Sequence, residues 1–179
     1  MTISRKTLRK WLVGEFSLRR VMLSILEIYV LILVFAYFFT DRIIFQPPPC
    51  RHFEDHDTYR IPVHGEEKIA VLALTNSSAR FTVLYVHANA EDISLVKYQM
   101  EDYRKRGFSI FTFDYRGYGN SDGKPSTSHA YEDAEAVFQH LVRDKGIRPE
   151  QIIIHGRSVG AAFAIYLPKD EGRPERGNA

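Results

Sequence analysis

The spacing of apolar and polar positions changes character along the chain. From 21 to 39, "VMLSILEIYVLILVFAYFF", the positions are apolar almost without interruption. Wound as a helix rising about 1.5 Å per residue, this run spans the hydrocarbon core of a bilayer, and it predicts one transmembrane helix. Glu27 is the exception; near the basic end of the run, its carboxylate can reach headgroups or Arg19 and Arg20. Upstream, Ile3, Leu8, Trp11, Leu12 and Phe16 lie among basic residues and predict a short interfacial helix over 3–18.

Beyond Phe39 the runs shorten and alternate in type. "QPPPC" at 46–50 reads as a stiff spacer, because each proline fixes φ and rejects helix. "TYRIPV" and "KIAVLAL" predict a strand pair around a His64-Gly65 turn, followed by "RFTVLYVH", a buried strand rich in β-branched and aromatic residues. Ile93, Val96, Met100 and Tyr103 then recur at helical spacing, predicting a helix over 92–106 that stops at Gly107. "FSIFTFDY" is the next strand. Ala130, Ala134, Val137 and Leu141 mark a second helix, capped within Ser126-Thr127-Ser128 and closed near Gly146, and "QIIIHG" is a third buried strand after "RFTVLYVH" and "FSIFTFDY". This β-α-β-α-β succession predicts an α/β fold, a mostly parallel sheet with helices on both faces. The expected organisation is a basic segment at 1–20, a transmembrane helix at 21–39, a Pro-rich linker at 40–57, the α/β domain at 58–167 and a disordered polar tail at 168–179.

Charge refines the membrane reading. Residues 1–20 hold six Lys/Arg against the single acid Glu15, so the rest of the chain is net acidic although the whole carries +2. A net-acidic body argues against nucleic-acid binding, which needs a basic face for phosphates. The basic flank instead places the N-terminus in the cytoplasm and the domain on the other side, as a single-pass protein held in the lipid bilayer. "FFTDRIIF" offers no small-residue cleavage site, so an uncleaved signal anchor is expected rather than a removed signal peptide. The single cysteine, Cys50, excludes an intrachain disulfide.

Gly156-Arg157-Ser158-Val159-Gly160 satisfies G-x-S-x-G between the strand "QIII" and the helical "AAFAIYL". A sharp turn there exposes a serine Oγ at the carboxyl end of a strand, the placement that attack on a carbonyl requires. "HANAED" (87–92), "DYRGYGNSDGKPS" (114–126) and "HGRSVGAA" together resemble the membrane-anchored α/β-hydrolases of the Bem46 and ABHD17 types, over about residue 40 to Leu167. The resemblance implies an α/β-hydrolase fold, Ser158 as nucleophile, the Val159 amide as one oxyanion donor and the Ala88 or Asn89 amide as the other. It implies cleavage of an ester, thioester or peptide-like amide through an acyl-serine, with no cofactor. Asp114, Arg116 and Tyr118 match the second motif and are assigned structural roles, as are His87 and His155. Ala88 departs from the family's usual glycine, which sets a methyl group in a turn expected to favour positive φ.

A serine needs a histidine to take its proton and an acid to orient that histidine, and in this fold both follow the nucleophile in sequence. The 21 residues after Ser158 contain no histidine. The expectation is therefore an incomplete α/β-hydrolase fold, truncated after the nucleophile turn and inactive alone, with Ile152–Ile154 as an exposed apolar strand open to a partner. The competing expectation is a non-catalytic, membrane-tethered interaction module. Cys50, His52, His56 and Asp57 cluster in a polar loop without paired-cysteine or H-E-x-x-H spacing, so no metal is assigned. "GYGNSDGKP" fails the phosphate-loop pattern at Tyr118 and Pro125. Asn76-Ser77-Ser78 is a glycosylation sequon, meaningful only in a eukaryotic lumen.

Overall fold

The computed structural model describes residues 17–49 and 55–167. The expected interfacial helix, Cys50, His52 and the polar tail lie outside them, apart from the last residues of the helix. Two compact units divide between Thr40 and Asp41. Helix α1, Leu18–Ile44, is long and apolar enough to cross a membrane and runs five residues beyond the apolar stretch, into the segment read as linker. The Phe45 amide still donates to the Asp41 carbonyl at 2.8 Å, continuing the ladder. Pro47, Pro48 and Pro49 carry no N–H and cannot extend it.

The second unit is built on five strands: β1 (Thr58–His64), β2 (Glu67–Leu74), β3 (Thr82–Val86), β4 (Ser109–Phe113) and β5 (Ile152–Gly156). Their order in the sheet is β1-β2-β4-β3-β5. β2 pairs antiparallel with both β1 and β4, whereas β3 pairs parallel with β4 and β5, so β2 alone opposes the common direction. The sheet is thus mostly parallel, as expected, with one reversed strand supplied by the β1–β2 hairpin.

Strand side chains alternate between two cores. Ala70, Leu72, Val83, Tyr85 and Ile110 pack with Ile93, Val96 and Met100 of α2 (Ile93–Lys105). Ile69, Val71, Leu84, Val86, Phe111 and Phe113 turn the other way, onto α3 (Thr127–Gln139) and α4 (Val159–Tyr166). Both faces of β3 and β4 are therefore buried, which is why those strands read as continuous apolar runs. Caps fix the helix starts: Asp92 Oδ1 accepts from Leu95 N at 3.0 Å, and Ser126 Oγ accepts from His129 N at 3.1 Å. At its end α3 widens into a π-helical turn at His140–Asp144, with Lys145 N donating to His140 O at 3.1 Å.

The outgoing crossovers of β3 and β5 leave toward opposite faces, α2 on one side and α4 on the other. In open α/β sheets, the carboxyl ends of strands whose following helices part in this way are where ligands bind. β5 ends the sheet order; Ile152 and Ile154 pack on the core, while Ile153 is 42% exposed.

A buried cation ties the loop after β4 to α3. Arg116, 1% exposed, donates from Nε to Asp133 Oδ1 at 2.6 Å, from its amide to Asp133 Oδ2 at 2.8 Å and from Nη2 to Glu132 Oε2 at 2.6 Å. Replacing Arg116 by Met leaves the fully buried Asp133 without its counter-charge. We expect a loss of about 3–5 kcal/mol, read as a lower urea midpoint for the full chain in detergent.

Candidate active site

Ser158 occupies the turn between β5 and α4 with φ 53° and ψ −123°. Among the described residues it is the only non-glycine with positive φ. Such a backbone costs on the order of 1–3 kcal/mol and persists only when its surroundings over-determine it. Here the two glycines do so. A Cβ on Gly156 would lie 2.5 Å from Ala161 Cα, and one on Gly160 would lie 2.6 Å from the His87 carbonyl oxygen and closer still to that of Val86. Only glycine allows β5, the start of α4 and the end of β3 to meet this closely. Arg157 N donates to Val86 O at 3.0 Å and locks the turn to β3. Ser158 is exposed, and its side chain makes no capping bond to α4. Val159 is the first residue of α4, so its amide lies outside the helical ladder and is available at the turn.

Facing this turn is the 87–92 loop that leaves β3. Of the two candidate amides on it, Ala88 N is occupied, donating to Glu91 Oε2 at 2.9 Å. Asn89 N has no acceptor among the described residues, which leaves it as the open donor of the pair. The strain expected at Ala88 is not found, since Ala88 does not have positive φ. Its methyl group needs no left-handed backbone here, and its N–H serves to hold the loop. The other oxygen of Glu91 pairs with Arg157 of the turn, so one carboxylate joins the two loops. Sequence reasoning missed Glu91; its only signal was an acid and a base, one on each motif, at positions the topology later brings together.

The DYRG segment lies beneath the 87–92 loop. Tyr115 OH donates to His87 O at 2.8 Å, and Tyr118 OH donates to Asn89 Oδ1 at 2.7 Å. Asp114 Oδ1 accepts from Ile93 N at 2.8 Å, at the start of α2. Asp114 and Tyr118 thus hold the start of α2 and the 87–92 loop. Burial pushes the Asp114 carboxyl up to about 7 from an ordinary 3.8, against the hydrogen bond from Ile93. Burial also raises Asp133, to about 6, with Arg116 opposing it.

Six of the seven histidines are described, and each is engaged away from Ser158 or lacks a contact to it. His87 is fully buried, with Nδ1 2.8 Å from Ala88 O, and burial holds its pKa below the usual imidazole range. The His155 ring meets Tyr85 and Tyr103 edge-on, at 5.3 and 6.1 Å. His129 bonds to Lys124 O, and His140 lies between Tyr59 OH and Asp144. His56 sits between Asp55 and Asp57, at 2.7 and 3.2 Å, in an exposed turn where Lys97 also pairs with Asp55.

The sheet order, crossover helices and strained strand-to-helix turn define part of an α/β-hydrolase. The chain belongs to the Hydrolase_4 family, serine aminopeptidase S33, whose model matches residues 77–177. Human alpha/beta hydrolase domain-containing protein 17B is 38% identical over 108 residues, 58% of this chain and 36% of that protein. The crystal structure of an alpha-beta hydrolase from Vibrio vulnificus superposes with a TM-score of 0.53 at 31% identity, covering 64% of this chain and 40% of that one. An esterase from Pyrococcus furiosus shares the fold, with a TM-score of 0.52 at 23% identity over 68% of this chain and 52% of that one. The chain thus spans about a third of the human relative and about half or less of these solved structures.

The raised carboxyls set a direction for stability. A buried Asp whose folded pKa lies above its unfolded value contributes stability that is fully present below about 3.8 and lost as pH rises through about 7. Asp114→Asn, which keeps an oxygen for Ile93 N, is therefore expected to flatten the fall in stability between those limits, as followed by urea denaturation across pH. An unchanged slope would show that Asp114 does not ionise over that range.

Proposed function

We propose that this chain carries the nucleophile and oxyanion half of a serine hydrolase that cleaves a carboxylic ester, thioester or peptide-like amide through an acyl-serine. The observation that carries this reading is the strained, exposed Ser158 between two glycines that admit no side chain. Ser158 Oγ attacks the carbonyl carbon as its proton passes to a base; the C–O, C–S or C–N bond breaks as the tetrahedral intermediate collapses, the leaving group takes up that proton, and water then hydrolyses the acyl-serine to release the acid and restore the hydroxyl. The Val159 and Asn89 amides receive the developing oxyanion, a contribution worth about 2.7–4 kcal/mol per donor in enzymes of this kind. Among the described residues no histidine contacts Ser158, so the 179-residue chain alone is proposed to be nearly inactive.

A base supplied from solution separates this reading from its rival. With p-nitrophenyl acetate and added imidazole, the full chain is expected to accumulate an acetyl group on Ser158, located by peptide mass spectrometry and absent from Ser158→Ala. Acetylation spread over surface residues with none at Ser158 would overturn the reading. It would favour the alternative, a non-catalytic membrane-tethered module whose β5 edge at Ile152–Ile154 pairs with a strand of a partner protein. The observation behind that alternative is the terminal position of β5 and the exposure of Ile153.

We also propose that α1 anchors the chain as a single-pass span, with the basic segment cytoplasmic and the domain extracytoplasmic. In sealed membrane vesicles of cytoplasm-in orientation, protease added outside should degrade the domain and spare the N-terminal segment; the reverse pattern would invert the topology.

A further inference from the structure

The start of the expected Pro-rich linker is wired into the loop that carries Asn89. Phe45 is 4% exposed, and its ring meets Tyr115 and Tyr118 edge-on at 6.4 and 6.5 Å. Those two tyrosines hold the loop on either side of Ala88, through His87 O and Asn89 Oδ1. The next residue adds a direct bond, Gln46 N donating to Asn89 Oδ1 at 2.8 Å. Asn89 Oδ1 therefore accepts two hydrogen bonds, one from the segment and one from a tyrosine against which Phe45 packs. Four residues before Phe45, Asp41 Oδ1 accepts from Thr127 N at 3.0 Å and Thr127 Oγ1 at 2.7 Å, fastening the segment's other end to the start of α3.

Each contact has a plain packing role, yet together they do more than fill space. A buried aromatic wedge, a backbone donor and a helix-capping carboxylate lie within six consecutive residues, and the wedge and the donor converge on one loop. A tether needs none of these. Among the described residues the Asn89 carboxamide has no other hydrogen bond, so its orientation is set by Gln46 and Tyr118 together.

We propose that Asp41–Gln46 is a strap that positions the oxyanion loop, with Phe45 and Gln46 as positioning residues acting through Tyr118 and Asn89. The inference rests on the reading of Asn89 N as an oxyanion donor. The strap lies wholly within the second compact unit, Asp41 onward. A fragment beginning at Pro47 would lack it. Phe45 and Gln46 touch no substrate; their effect is to keep the amide of Asn89 where the acyl oxygen develops charge.

Hydrogen exchange of the full chain in detergent tests this without any catalytic readout. The reporters are the amides of Ala88 and Glu91, bonded to Glu91 Oε2 and to Asn89 O. Phe45→Ala is expected to speed their exchange by about tenfold or more, equivalent to about 1.4 kcal/mol of local opening, while amides of β3 and β4 keep their rates. Phe45→Leu should restore most of the protection. Gln46→Pro, which deletes one N–H and leaves Phe45 in place, should produce a smaller change at the same amides. Unchanged exchange at Ala88 and Glu91 in both Phe45→Ala and Gln46→Pro would overturn the strap. So would a uniform acceleration in both variants, because it would mark Phe45 and Gln46 as general stabilisers. Local loosening together with a failure of Ser158 to acetylate would leave the strap standing and remove the catalytic reading.

Discussion

The close approach of Gly160 to the carbonyls of Val86 and His87 is the constraint on which the site depends. It brings the ends of β3 and β5 together at a distance no side chain permits. Ser158 is then held in a backbone that other residues rarely adopt, and the 87–92 loop is set beside it. Strain of on the order of 1–3 kcal/mol at Ser158 is offset by the packing of two cores, one on each face of the sheet. The strained turn is thus a consequence of the sheet's order, because the helices after β3 and β5 must leave toward opposite faces.

Around that turn the polar groups form a chain of supports. Glu91 joins the loop to Arg157, Tyr115 and Tyr118 hold the loop from below, and Arg116 fastens the DYRG segment to α3 through Asp133. Each bond runs between elements distant in sequence. Buried charge is costly, and Arg116 is kept by three carboxylates, Glu67, Glu132 and Asp133. The 87–92 loop is thus fastened from several sides, while Ser158 itself is exposed.

Membership of the Hydrolase_4 family and the likeness to ABHD17B agree with this geometry while leaving chemistry to the residues. The strap extends the same logic to the segment after the apolar helix. Phe45 falls within the expected Pro-rich linker, 40–57, yet it is a core residue whose ring meets both tyrosines of the DYRG motif.

The sequence by itself determined the elements and the turn. Periodicity placed α2, α3 and the five strands within a few residues, because helix and strand impose repeats that a single run of side chains displays. G-x-S-x-G located the strand-to-helix turn, because only glycine tolerates its close contacts. Tertiary structure decided the reversed direction of β2, the choice of Asn89 over Ala88 as the open amide, the Glu91–Arg157 link and the burial of Phe45. In each of these the deciding group is a partner far away along the chain. Ala88 N is closed by the Glu91 side chain, whose position is fixed by Arg157, 66 residues on. Pattern along a chain reports local geometry; the occupancy of a donor is settled only when folding brings its acceptor within reach.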